Sequence, residues 1–351
     1  MVFIVLLLLI ITFCDAKVAP IGEFYTDYNS KEKSNIIKGL FVILVFCSHY
    51  SQYVTLNGIY NEPYIAIKSH LSQMVVAMFL FYSGYGIMES ITKKGFGYVK
   101  TIPYKRFLSV LLNFDIAVLL FIILQFFLGK TFGLKTIILS LIGWESVGNS
   151  NWYIFVTLVI YLLIFISLFI IKIKNNKITR IIGLFIFFIL TILFVYSQML
   201  IGRPAYTYNT AILFPLGSFY SYFKTYIDKF VMKNGFFYAT VCLIIACVYF
   251  WSYNIRSNSI YTYSIWAVAF TLSVVIFTMK VSIRNPILEW FGKHIFSIYI
   301  LQRIPMLILQ YYGFNLTHKY EFFIVSLIAT CLIAMAFDYF AGILNKRIWK
   351  A

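Results

Sequence analysis

Charge is scarce in this chain. Only 12% of its 351 residues are Asp, Glu, Lys or Arg, about half the share found in an ordinary soluble domain. That leaves too little polar surface to cover a water-soluble globule. A composition that is 62% hydrophobic and 20% aromatic also excludes a disordered chain. Cysteine is sparse as well. Cys14, Cys47, Cys242, Cys247 and Cys331 are odd in number, sit in apolar runs and form no CxxC pair. They read as small apolar residues, not as a disulfide or zinc framework. The sequence shows no phosphate-binding glycine loop, no GxSxG elbow and no metal-ligating constellation. It shows no internal repeat, which removes support for an inverted-repeat transporter. No connecting segment is long enough to form a soluble domain.

What is present is a series of long apolar runs, with mean hydropathy +0.86 over the chain. A membrane-crossing helix needs about 20 apolar residues. Ten segments qualify: 36–55, 71–90, 106–128, 151–173, 179–200, 208–226, 235–252, 260–280, 294–313 and 320–344. The predicted fold is therefore all-α, a polytopic transmembrane bundle of about ten core helices plus a short N-terminal apolar segment. Residues 1–30 form that segment and a linker, and residues 31–351 form the membrane domain. Val2–Cys14 is short for a span and has no basic residues before it, unlike a signal peptide. An extra short helix and an early start codon both fit it. The stretch Thr131–Ser150 is half apolar, with Gly, Ser and Asn near its end, as in a re-entrant or interfacial segment.

Basic residues outnumber acidic ones 29 to 12, for a net charge of +17. In a soluble protein this would suggest nucleic acid. Here the cations gather in short clusters between apolar runs, as in cytoplasmic loops facing anionic lipid, so the expected partner is the bilayer and not nucleic acid. With the start of the first core helix inside, alternate connections collect Lys31, Lys33 and Lys38; Lys93, Lys94, Lys100, Lys105 and Arg106; Lys172, Lys174, Lys177 and Arg180; and comparable later clusters through Lys350. Only Lys68, Lys130, Lys135, Arg203, Arg256, Arg303 and Lys319 depart from that pattern. Both ends of the core are then cytoplasmic. An excess of Lys over Arg, with abundant Ile, Phe, Tyr and Asn, points to an AT-rich bacterial genome.

Few polar residues lie within the apolar runs. Lys38 opens the first core helix and His49 follows eleven positions later. Eleven residues make about three turns and about 16 Å, so both side chains share one face. His49 then lies past the midplane, where an ionisable group is costly and marks a candidate functional site. The alternative is a neutral His bonded across helices, with Lys38 snorkelling at the interface. Arg303, mid-helix in the ninth segment, must face the interior. Asp115 is its expected partner by depth, in a structural ion pair or a catalytic one. Glu145 is either an orienting acid for His49 or a solvated loop acid. Asp338 is expected to pair a loop Lys. Ser83-Gly84 also fits close helix packing, and Trp152 an aromatic anchor at the interface.

These residues together resemble the acyltransferase-3 family of bacterial membrane enzymes. A basic residue, ten residues and a His, as Lys38 to His49, is similar to the family signature at the start of the first core helix. Phe79-Leu80-Phe81-Tyr82-Ser83-Gly84-Tyr85 resembles its aromatic run ending in Ser-Gly-Tyr. Lys105-Arg106 opens the third helix, Asn151-Trp152-Tyr153 the fourth, and Gly292-Lys293, Ser297 and Tyr299 follow the family's late pattern. The resemblance covers the chain from about residue 30 onward. The sequence departs from the family at Ala77, where an acidic residue is common, at Gln302, where a His is common, and at Lys38, where Arg is common.

The resemblance implies an O-acyltransferase that uses acetyl-CoA as donor and a hydroxyl of a cell-surface polysaccharide, or its lipid-linked precursor, as acceptor. It implies a multi-pass protein of the cytoplasmic membrane, working beside envelope polysaccharide assembly proteins. Lys38, Lys105 and Arg106 would hold the phosphates at the cytoplasmic mouth. His49 would be the catalytic group, as general base or as acyl relay. Ser83, Asn151 and Gln302 would supply neutral donors, with Tyr85, Trp152, Tyr299 and Arg303 as substrate or supporting residues. The competing reading is a glycan transporter or flippase without acyl transfer.

Overall fold

Apolar segments in lipid must satisfy their backbone groups internally, and a helix does so within one segment. The computed structural model, which describes residues 1–171 and 177–349, is built almost wholly from helices. Lys172, Lys174 and Lys350 of the basic clusters, and the end of the predicted 151–173 segment, lie outside the described residues. In chain order the helices are α1 (Val2–Phe13), α2 (Lys31–Tyr50), α3 (Glu62–Leu71), α4 (Met74–Lys94), α5 (Phe96–Ile102), α6 (Ser109–Phe127), α7 (Leu134–Leu141), α8 (Trp152–Ile170) and α9 (Lys177–Leu200). They continue as α10 (Leu213–Val231), α11 (Gly235–Ile255), α12 (Ile260–Lys280), α13 (Pro286–Lys293), α14 (Ile295–Leu301), α15 (Arg303–Tyr311), α16 (Phe314–Thr317) and α17 (Lys319–Trp349). A π-helical turn, Pro103–Leu108, joins α5 to α6, so Phe96–Phe127 runs as one long helical segment.

Seven of these are long and apolar enough to cross a membrane: α4, the α5–α6 segment, α8, α9, α11, α12 and α17. The three other predicted segments are helical but differ in character. Segment 36–55 starts earlier and ends earlier, as α2, because the Ser30 side chain accepts from Lys33 N at 3.3 Å and caps the helix before Lys31, Glu32 and Lys33. Segment 208–226 is α10, which carries Lys224, Asp228 and Lys229. Segment 294–313 is broken into α14 and α15 at Gln302. Thr131–Ser150 contains the short helix α7 and then a loop whose Val147, Asn149 and Ser150 are buried.

The centre of the assembly is a close packing of α2, α4, α10 and α13. A Cβ on Gly39 would lie 1.9 Å from the Leu288 carbonyl oxygen, and one on Gly292 would lie 2.1 Å from that of Asn35. Thus α2 and α13 touch backbone to backbone, and only glycine permits it. The same holds between α4 and α10, where a Cβ on Gly84 would meet the Phe214 oxygen at 1.9 Å. At the periphery, Phe185 and Ile189 of α9 and Leu243, Ile244 and Phe250 of α11 are exposed, as lipid-facing side chains must be.

Residues 14–30 are docked at the Lys38 end. Lys17–Val18 (β1) pairs antiparallel with Val281–Ser282 (β2), Lys17 opposite Ser282. The Tyr28 hydroxyl donates to Asp228 at 2.7 Å and contacts the Tyr220 hydroxyl at 2.7 Å.

Candidate active site

Most of the site residues singled out in the sequence divide between two cavities at opposite ends of α2, while Lys105, Gln302, Asp115, Glu145 and Asp338 line neither. The first, about 780 Å³, is lined by Lys38 and Lys31 from α2, by Ser83, Tyr85 and Lys93 from α4, by Arg106 from the π-helical turn, and by Lys224 from α10. Five cations face one space. Lys93 is bridged to Glu89 at 3.1 Å, and Lys224 to Asp228. Among the described residues no carboxylate bridges Lys31, Lys38 or Arg106, although Arg106 Nε donates to the Tyr98 hydroxyl at 3.0 Å. Asp27, at the rim, bonds Lys33 Nζ at 2.7 Å, and that hydrogen bond holds its carboxyl below the usual range. The cavity therefore carries fixed positive charge that the protein does not neutralise, which is the condition for binding an anion. Lys105 is exposed and does not line this space, unlike its neighbour Arg106. Lys31, Lys93 and Lys224 do line it; in the sequence only their membership of basic clusters marked them.

The second cavity, about 420 Å³, surrounds His49. Asn151, Trp152, Tyr299 and Arg303 line it, joined by Gln52, Gln73, Asn149 and Ser150. His49 is buried, and its Nε2 lies 3.4 Å from Ser150 Oγ. The imidazole is 6.2 Å from the Tyr299 ring, which in turn packs edge-on against Tyr153 at 5.2 Å. Gln302 is fully buried and its side chain interacts with the imidazole. His49 Nδ1 and Gln302 Oε1 are both buried without a hydrogen-bond partner. Catalytic hydrogen bonds commonly tighten only when a substrate closes the site. A hydrogen bond from Nδ1–H to the Gln302 oxygen would hold the tautomer that leaves Nε2 as the lone-pair nitrogen, beside Ser150.

Arg303 corrects the expectation drawn from depth. It is not paired with Asp115. Its Nη2 donates to Gln52 Oε1 at 2.6 Å, Nε to Ser150 Oγ at 2.9 Å and Nη1 to the Tyr53 hydroxyl at 3.3 Å. Matching by depth fixes position along the bundle axis but not which face of the helix a side chain occupies. Glu145 does not line the His49 cavity, and the side chain that interacts with the imidazole is that of Gln302. Among the described residues Asp338 binds no loop Lys. It pairs with His294 Nδ1 at 2.5 Å and accepts from Ser297 Oγ at 2.8 Å. Among the expected neutral donors, Asn151 Nδ2 is committed to the Gly143 carbonyl at 2.8 Å, Gln302 Nε2 to that of Tyr299 at 3.1 Å, and Ser83 belongs to the other cavity. Beside His49 the Tyr299 hydroxyl and Asn149 Nδ2 are buried without a partner, and the Arg303 guanidinium, with each of its nitrogens already making one hydrogen bond, also lines the cavity and keeps further N–H groups. Ser150 and Gln52 went unnoticed in the sequence, since an isolated Ser or Gln near a segment end carries no spacing signal.

The two cavities share no lining residue. Tyr153 links them: it interacts with Ser83 of the first cavity and packs on Tyr299 of the second, with the Phe79 ring 6.1 Å away. Ser83 also interacts with Tyr161, and the Tyr82 hydroxyl, on the first cavity's lining, is buried without a partner.

A family model described as an acyltransferase domain, Acyl_transf_3, matches residues 32–339. No curated protein and no solved structure matches the chain.

Proposed function

The chain belongs to the acyltransferase-3 family and is a multi-pass membrane acyltransferase; from this premise we propose that it transfers acetyl from acetyl-CoA to a hydroxyl of a cell-surface polysaccharide or of its lipid-linked precursor, in the cytoplasmic membrane. The observation that carries the reading is the pairing of two unlike cavities along one helix: unneutralised cations at the Lys38 end and a buried imidazole at the His49 end.

Acetyl-CoA is made in the cytosol, and its phosphates suit the Lys31–Lys38–Arg106 cluster at the cytoplasmic mouth. The pantetheine arm reaches along α2 past Tyr153 and presents the thioester near His49, about 16 Å from Lys38. The acceptor hydroxyl enters from the opposite side. His49 Nε2 takes the hydroxyl proton as the oxygen attacks the thioester carbonyl. The Arg303 guanidinium and the Tyr299 hydroxyl stabilise the oxyanion of the tetrahedral intermediate. The C–S bond then breaks, and the proton passes from His49 to the departing thiolate. The products are the O-acetyl ester and CoA thiol, so atoms and charge balance.

The test is acetyl-CoA turnover by purified protein. Wild type releases CoA thiol and His49→Ala does not, with both proteins recovered at equal level. Equal turnover by the two proteins would remove His49 from the mechanism.

A further inference from the structure

Resting on the acyl-transfer reading above, we propose that the acceptor is presented as a lipid-linked molecule: an apolar tail bearing a phosphate headgroup seats in a lateral groove beside α2, and the N-terminal helix α1 forms one wall of that groove.

The groove, about 200 Å³, is lined almost entirely by apolar atoms. Leu8 and Leu9 of α1 form one wall, Leu40 and Leu44 of α2 the other, and α3 and the start of α4 close its far end. Its outer side is bordered by α1, which has no charged residue and exposes Phe3, Leu6 and Ile10. Such a face is stable only in hydrocarbon, so the groove is open to lipid. Its polarity changes at one end. Leu40 and Leu44 lie toward the Lys38 end of α2, whereas Ser48, Lys68 and Ser72 line the end nearest His49. From Leu40 to Ser48 is about 12 Å of helix, enough to extend an alkyl tail. Among the described residues, Lys68 is the one cation lining the groove.

The groove also joins the proposed catalytic chamber. Ser48, Ser72 and Val75 line both spaces. Ser72, at the α3–α4 junction, has φ +41°, a strained backbone for a non-glycine residue, and sits at that junction of the two spaces. A lipid with its tail toward Leu40 and its phosphate at Lys68 therefore carries whatever is linked to that phosphate into the His49 chamber. A free polysaccharide has no use for the apolar groove. α1 lies outside the matched family region, residues 32–339, so this wall is a feature of the present chain and not of the matched domain.

The probe is a polyisoprenyl phosphate with a photoreactive diazirine in the second isoprene unit from the phosphate and no sugar, added to the full-length protein in phosphatidylcholine nanodiscs. Cross-links are expected on α1 and near Leu40 and Leu44, competed by unlabelled polyisoprenyl phosphate and not by the neutral polyisoprenol. Leu44→Trp fills the groove and is expected to abolish them. Lys68→Gln, a mild surface change, is expected to weaken competition by the phosphate about fivefold, the value of one cation near a membrane surface. His49→Ala is expected to keep the cross-links while losing acetyl-CoA turnover. Cross-links spread over all lipid-facing helices, or equal competition by the neutral alcohol, would overturn the lipid acceptor and leave the acyl-transfer reading intact. Absence of His49-dependent turnover would overturn the acyl-transfer reading, and this inference with it.

Discussion

Gln302 offers the sharpest perturbation of the site. It is fully buried, its amide nitrogen is bonded to the Tyr299 carbonyl, and its side chain interacts with the imidazole of His49, whose Nδ1, like the Gln302 oxygen, is buried without a hydrogen-bond partner. Gln302→Leu keeps the volume and removes the acceptor. The Nδ1 proton then has no protein partner, at a cost of about 1–3 kcal/mol for an unsatisfied buried donor. Part of that cost is relieved if the proton moves to Nε2, which destroys the base. The catalytically competent tautomer is disfavoured by the same energy, so kcat should fall about 5- to 150-fold. KM for acetyl-CoA should change little, because the cationic cavity is at the other end of α2. Gln302→Glu restores an acceptor at the same place and should recover activity relative to Gln302→Leu. The assay is release of CoA thiol at saturating donor, with protein level checked by size-exclusion of the detergent complex. Unchanged kcat in Gln302→Leu, or equal losses in the Leu and Glu variants, would refute the orienting role.

Lys38→Ala should raise KM for acetyl-CoA roughly tenfold or more, from loss of one charge-assisted contact, with kcat nearly intact in a donor titration; an unchanged KM would remove Lys38 from donor binding. Gly39→Ala should lower the amount of folded protein, since the new methyl falls 1.9 Å from the Leu288 oxygen and overpacking costs about 1–3 kcal/mol or more; normal accumulation and thermal stability would show that α2 and α13 do not pack as described. Arg303→Met should leave protein level near normal, because its partners Gln52, Ser150 and Tyr53 are all neutral, while kcat falls with the loss of oxyanion stabilisation. Loss of the protein itself would instead make Arg303 structural.

Much of the fold can be read from hydropathy, because segments that meet lipid must be uniformly apolar. α9 and α11 are of this kind. Of the ten predicted segments, three are not long uniformly apolar helices, namely α2, α10 and the α14–α15 pair, and each carries polar residues that line a cavity or its margin: Lys38 and His49, Lys224, and Gln302 with Arg303. The π-helical turn was not visible, because Pro103 at the head of a helical run does not by itself show whether the helix stops or continues through it. Within the candidate site, the eleven-residue spacing of Lys38 and His49 follows from helix geometry alone. The partners of Arg303 do not, since Gln52 and Ser150 reach it from a turn and a loop whose positions only the tertiary packing sets. The same packing turns Asp338 toward His294 and Ser297, away from any loop lysine.

The central claim is tested most directly by the O-acetyl content of surface polysaccharide, measured by proton NMR on material from cells carrying the wild-type gene, the His49→Ala gene or no gene. Acetyl signals present only with the wild-type gene are predicted, at one sugar position that identifies the acceptor. Identical acetyl content in all three preparations would contradict the assignment of surface polysaccharide as the final acceptor and of His49 as the group that acylates it.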